Sequence, residues 1–258
     1  MASSKLLSRH VDSESFDRHF DYRRAIGKLN FLEQSTRGDL SYAVHMCARF
    51  CQDPKMEHGA AVKWIGRYLA GTKDKGFIIR PDPNKGMEVY VDADFAGNWD
   101  PSLAGEDPDT ARSRHGYTIT YAGVPLLWKS QLQGEICLSS TESELVGLST
   151  ALRTAIPIHN ILLEMRTHGF EIMPDEPTIH CTVFEDNDGA LAIAKFPKMR
   201  PRTKHINVKY FHFLKYTNTK ESPYEFKRID SSEQPADVFT KPLPLEPFVK
   251  HRTWLLGW

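Results

Sequence analysis

The chain has 258 residues, with 33 Lys and Arg balancing 33 Asp and Glu; 40% of it is apolar and 26% charged. This is ordinary globular composition, enough for one large domain or two small ones, and a net charge of zero excludes a generic coat for nucleic acid. No apolar run approaches the ~18 residues of a membrane span, and the charged opening MASSKLLSRHVDSESFDRHF lacks the apolar core of a signal peptide.

A cytosolic or nuclear setting is therefore expected. Cys47, Cys51, Cys137 and Cys181 form no C-x-x-C pair, and they are expected as buried, reduced thiols.

Residues 1–20 read as a flexible tail. Three amphipathic stretches follow in 21–75. Tyr22–Leu32 carries Ile26, Leu29 and Phe31; Asp39–Phe50 carries Leu40, Val44, Cys47 and Phe50; Glu57–Leu69 carries Ala61, Val62, Ile65 and Leu69. Asp53-Pro54 divides the second from the third. They predict a small all-helical subdomain. From about residue 76 the period becomes two. Gly76–Arg80, Glu88–Phe95, Gly116–Tyr121 and Leu126–Lys129 read as strands in a meander, with 97–115 a mobile, polar surface loop. A helix is predicted over Thr141–Ala155, stopped by Pro157, and a second over Ile158–Thr167. Then come a strand Thr178–Glu185, helices Asp188–Lys195 and Lys204–Thr217, a strand Pro223–Arg228, a helix from Pro235 to Thr240 and a C-terminal helix Pro247–Leu256. The order implies a mixed sheet with helices on its faces.

Four acids, Asp92, Glu144, Asp186 and Asp237, each stand beside a different element. Carboxylates gathered from four elements repel one another unless divalent cations neutralise them, and a cation pair suits phosphodiester hydrolysis. Each also has a structural role open to it. Asp92 shares a strand face with Tyr90 and Asp94, opposite Val89, Val91, Ala93 and Phe95; Asp94, nearer the Gly97 turn, better fits an acid facing water. Glu144 completes a capping box with Thr141, but Ser139 and Glu142 fit the same pattern and would leave Glu144 free. Asp186, Asn187 or Asp188 could cap the helix that follows, and Asp237 in a first turn suits the helix dipole. DNDG is no calcium loop, because Ala190 and Ala192 fall at ligand positions. G-x-S-x-G, H-E-x-x-H and P-loop strings are absent.

Residues 189–220 hold eight Lys or Arg and no acid, interleaved with aromatics. The strip offers phosphate contacts through Lys195, Lys198, Arg200, Arg202, Lys204 and Lys209, with His205 among them; a plain solvated helix face is the other reading.

The strings YRRAIGKLNFLEQSTRGDLSYAV, AVKWIGRYLAGTKDKG, VDADFAG, LLWKSQLQGEICLSSTESELVGLSTA, EDNDGALAIA, RTKHINVKYFHF and QPADVFTKPL, in this order, resemble the C-terminal part of copia-type LTR retrotransposon polyproteins. The resemblance implies a reverse-transcriptase connection-like region over 21–75, an RNase H-like domain over 86–243 with a mixed five-stranded sheet and flanking helices, and a C-terminal helix over 244–258. It implies hydrolysis of the RNA strand of RNA–DNA hybrids. The metal-binding quartet would be Asp92, Glu144, Asp186 and Asp237, holding two Mg²⁺, with Mn²⁺ as a substitute. Partners implied are the hybrid and, for the apolar faces of 21–75, a reverse-transcriptase palm or another polyprotein segment. No Y-x-D-D motif is present, so polymerase activity is not expected, and IDSSEQP lacks a product-release histidine. Two rivals stand beside this: a catalytically silent module binding nucleic acid or protein, and a DNA strand transferase using Glu221, 35 positions after Asp186.

Overall fold

A computed structural model describes residues 7–9, 14–16, 20–103, 105, 107–172, 181–195, 213 and 223–258. The three predicted N-terminal helices form as α1 (Tyr22–Ser35), α2 (Ser41–Ala48) and α3 (Met56–Gly71). Asp21 caps α1 by accepting from the Arg24 amide at 2.9 Å, which satisfies one of the donors that a helix start leaves open. Their apolar stripes meet around Ile26, Leu40, Val44, Cys47, Val62 and Ile65, and Phe16 packs into the same cluster.

The expected mixed five-stranded sheet is present, in the order β3-β2-β1-β4-β5. β1 (Met87–Asp94), β2 (Arg114–Tyr121) and β3 (Val124–Leu132) pair antiparallel, while β4 (Cys181–Glu185) and β5 (Tyr224–Arg228) run parallel to β1. The two-residue alternation of β1 holds. Val89 and Val91 face a core shared with Leu145, Leu148 and Leu152 of α4 (Ser140–Thr167). Tyr90 faces the opposite core, with Val238 and Phe239 of α6 (Asp237–Thr240) and Leu255 and Leu256 of α7 (Leu245–Leu256). α5 (Asp188–Lys195) has the predicted bounds.

Three expectations are corrected. Gly76–Arg80 is not a strand: it has no ladder partner, and the Ile78 amide bonds the Leu256 carbonyl at 3.0 Å, docking the segment on the end of α7. Pro157 does not stop a helix. α4 runs through it, because Ile156, His159 and Leu162 continue the buried face and packing outweighs a cost of about 3 kcal/mol. The 97–115 stretch is not a solvated loop in its described residues: it folds into 3₁₀ turns at Pro101–Leu103 and Pro108–Ala111, buries Asp107, Thr110 and Ser113, and contributes Arg114 and His115 to β2. The predicted helix Lys204–Thr217 falls almost wholly outside the described residues.

The helical region lies against the sheet. Trp128 of β3 donates its indole N–H to the Glu33 carbonyl at 2.8 Å, and Arg114 of β2 reaches His45 Nδ1 at 3.0 Å and Met46 Sδ at 3.1 Å on α2. The four cysteines are all free thiols; three are buried and Cys51 is half-buried.

Candidate metal centre

Asp92 lies near the C-terminal end of β1 and Asp186 directly follows the parallel strand β4, while α4 and α6 bring Glu144 and Asp237 to the same place. Asp92 is almost fully buried, directly opposite Gly116 in the β1–β2 ladder. Glu144 is freed for the site by its own helix start. Ser139 accepts from the Glu142 amide at 3.1 Å and Glu142 accepts from the Leu138 amide at 2.8 Å, so this pair does the capping. Glu144 is left buried, with Oε2 lacking any hydrogen-bond partner. Asp186 is likewise free of capping duty, since Asn187 Oδ1 accepts from the Ala190 amide at 2.9 Å. Its carboxylate accepts from the Ser231 hydroxyl at 2.7 Å.

Ligand oxygens of Asp92, Glu144 and Asp186 lie within 4.8 Å of one another. Asp237 opens α6 and is buried beside them, but it stands outside that group, with Oδ1 2.9 Å from Lys241 Nζ one turn along. Three contacts fix α6 on the sheet. Gln234 donates to the Val91 carbonyl at 2.8 Å, Thr240 donates its hydroxyl to Asp92 Oδ2, and the bare Cα of Gly116 lets Phe239 approach.

Burial pushes these acids up. Asp92 is raised by burial, with Lys241 pulling the other way. Glu144 is raised well above the carboxylate range by burial, then by Glu185 and Asp92. Asp237 is raised to about 7 by burial, then by Asp92. A buried, unpartnered carboxylate oxygen among converging hard donors fits Mg²⁺ or Mn²⁺ better than a soft metal.

No family model matches the chain. It is 32% identical over 247 residues to the "Retrovirus-related Pol polyprotein from transposon TNT 1-94" of Nicotiana tabacum, covering 95% of this chain and 17% of that protein. It is also 32% identical over 243 residues to the "Retrovirus-related Pol polyprotein from transposon RE2" of Arabidopsis thaliana, covering 94% and 15%. Its homologues are copia-type retrotransposon Pol polyproteins. The chain spans about a sixth of the length of these curated Pol relatives. Among solved structures, RNase H1 from the halophilic archaeon Halobacterium salinarum superposes with a TM-score of 0.39 at 12% identity, over 60% of this Pol homologue and 93% of that chain.

Two residues of the site escaped sequence reasoning. Glu185 is fully buried; its Oε1 accepts from the Asn187 amide at 3.1 Å and its Oε2 has no hydrogen-bond partner. Its signal was a charge in step with Cys181 and Val183 on the core face of β4. Lys241 was signalled by its place four residues after Asp237. Of the phosphate-contact set, Lys195 is exposed at the end of α5, while Lys198, Arg200, Arg202, Lys204, His205 and Lys209 lie outside the described residues, as does Glu221. Among the described residues, no helix is long and apolar enough to cross a membrane.

These acids set a pH signature. A carboxylate raised in the folded state, as Asp92 and Glu144 are, stabilises the fold below its ordinary value, near 4, and that contribution is lost as pH rises through the raised value; neighbouring Asp237, raised to about 7, adds to the same trend. A cation that binds the ionised forms restores what is lost. The rise in melting temperature on adding Mn²⁺ should therefore grow from pH 5 to pH 8. His45 and His115, both lowered to about 4 by burial, act with the opposite sign at acid pH. Comparing metal-loaded with metal-free protein at each pH cancels them. A metal shift that is flat across the range would rule out carboxylate titration as its source.

Proposed function

We propose that this chain hydrolyses the RNA strand of RNA–DNA hybrids in a reaction that depends on Mg²⁺ or Mn²⁺. Residues 86–243 act as the nuclease domain, residues 21–75 as a connection-like helical support, and 244–258 as a closing helix. The observation that carries the reading is the meeting of Asp92, Glu144 and Asp186, from three separate elements, within 4.8 Å in a Pol homologue. Asp92, Glu144, Asp186 and Asp237 are the ligating carboxylates. A bound divalent ion supplies Lewis-acid activation of water and offsets charge building on the phosphate.

The chain's own groups do the positioning. Thr240 holds one oxygen of Asp92, Ser231 holds one of Asp186, and α4 aims Glu144 from a core that excludes water. Lys195 and the basic set that follows it contact phosphate, and 2′-hydroxyls and groove shape mark the RNA strand. The test is Asp186→Asn, which keeps the shape and the Ser231 contact. Mg²⁺-dependent cutting of a labelled hybrid should fall to background while the circular dichroism spectrum stays unchanged. Retained cutting would remove the assignment. Hybrid binding by the unaltered chain with no metal-dependent cutting would point to a catalytically silent module.

A further inference from the structure

We propose that Lys241 is a resident cation of this centre, so that without nucleic acid the chain takes a single divalent ion, on Asp92, Glu144 and Asp186. The inference rests on the metal-site reading above, and it takes the two ions that the family resemblance implies down to one while nucleic acid is absent. Among the described residues the ligand group closes on three acids and leaves Asp237 out. Asp237 is already paired, with Lys241 Nζ 2.9 Å from its Oδ1. The same ammonium stands 3.8 Å from Asp92 Oδ2. Lys241 thus lies between the two carboxylates that would have to share any second ion.

The surroundings hold it there. Lys241 lines an apolar groove with Val238, Leu243 and Phe248 on one wall and Leu40 and Met46 on the other. A low-dielectric wall strengthens the attraction between ammonium and carboxylate, and it strengthens equally the repulsion felt by an arriving second cation. The lysine follows the last residue of α6 in extended backbone, four positions after Asp237, and its side chain turns back to that carboxylate. A second divalent ion would have to displace this charge from beside Asp92 and Asp237. A substrate phosphate, which brings negative charge of its own, is the natural group to shift that balance.

The experiment is Mn²⁺ titration of the full chain, read by the electron paramagnetic resonance signal of free Mn²⁺. The unaltered chain should bind about one ion, Lys241→Gln about two, and Lys241→Arg about one, since arginine restores the charge. Two ions on the unaltered chain, or a single ion on Lys241→Gln, would overturn the proposal while leaving the metal-site reading intact. No ion on the unaltered chain would overturn both. The thermal shift with Mn²⁺, followed on all three proteins, reports whether each variant is folded.

Discussion

Asp92→Asn should lose hybrid cleavage by roughly 10³-fold or more, beyond the 10–100-fold typical of groups behind the ligands. The same change should make the metal-free protein more stable. Asp92 is 3% exposed, and burial raises its carboxyl, so the folded chain holds its ionised form at a cost. Asparagine keeps the shape and can still accept from the Thr240 hydroxyl, while the Lys241 attraction at 3.8 Å is given up. A net gain of about 1 kcal/mol, or roughly 2–4 °C in melting temperature, is expected for a chain of this size. Activity and stability moving in opposite directions would mark Asp92 as a group retained for function. A variant that is inactive and also less stable would instead mean that Asp92 mainly holds the fold together.

Gly116→Ala should damage the site without touching an acid. Gly116 faces Asp92 across the β1–β2 ladder. A methyl group there would lie 3.0 Å from Thr240 Cγ2 and closer still to Phe239 Cβ. Both belong to α6, which carries Asp237 and leads into Lys241. Pushing α6 off the sheet costs about 1–3 kcal/mol as overpacking. It also moves Thr240 and Asp237 away from Asp92, and a displacement near 1 Å costs about 10²-fold in rate. Denaturant unfolding and single-turnover cleavage together read the two effects. The control is Gly66→Ala on the exposed face of α3, where a Cβ meets nothing within 4 Å; it should be neutral or slightly stabilising. Should Gly116→Ala behave like the control, α6 would not depend on the missing side chain for its place.

Periodicity was legible wherever one face of an element was buried. Val89 and Val91 alternate with Tyr90 and Asp92, and β1 follows that pattern residue for residue. Helix bounds were legible where a cap spelled them out, as at Asp21. The competing capping roles of Glu142 and Glu144 could not be separated by sequence. The difference lies in which carboxylate reaches back to the Leu138 amide, and that depends on where the sheet stands. Pro157 misled because local propensity yields to a buried face that continues beyond it. Gly76–Arg80 misled because alternation alone supplies no ladder partner. Glu185 and Lys241 went unseen because a charge becomes part of a site only through its neighbours.

Arg114 ties the sheet to the helical region. It is 1% exposed, and burial lowers its guanidinium to about 10. Its contacts include Ser130 on the sheet and His45, Met46 and the face of Tyr42 on the helical side. A fragment beginning just ahead of β1 would leave that guanidinium without His45, Met46 and Tyr42. The helical segment thus lines the back of the sheet, and residues 86–258 expressed without it should be less stable than the full chain.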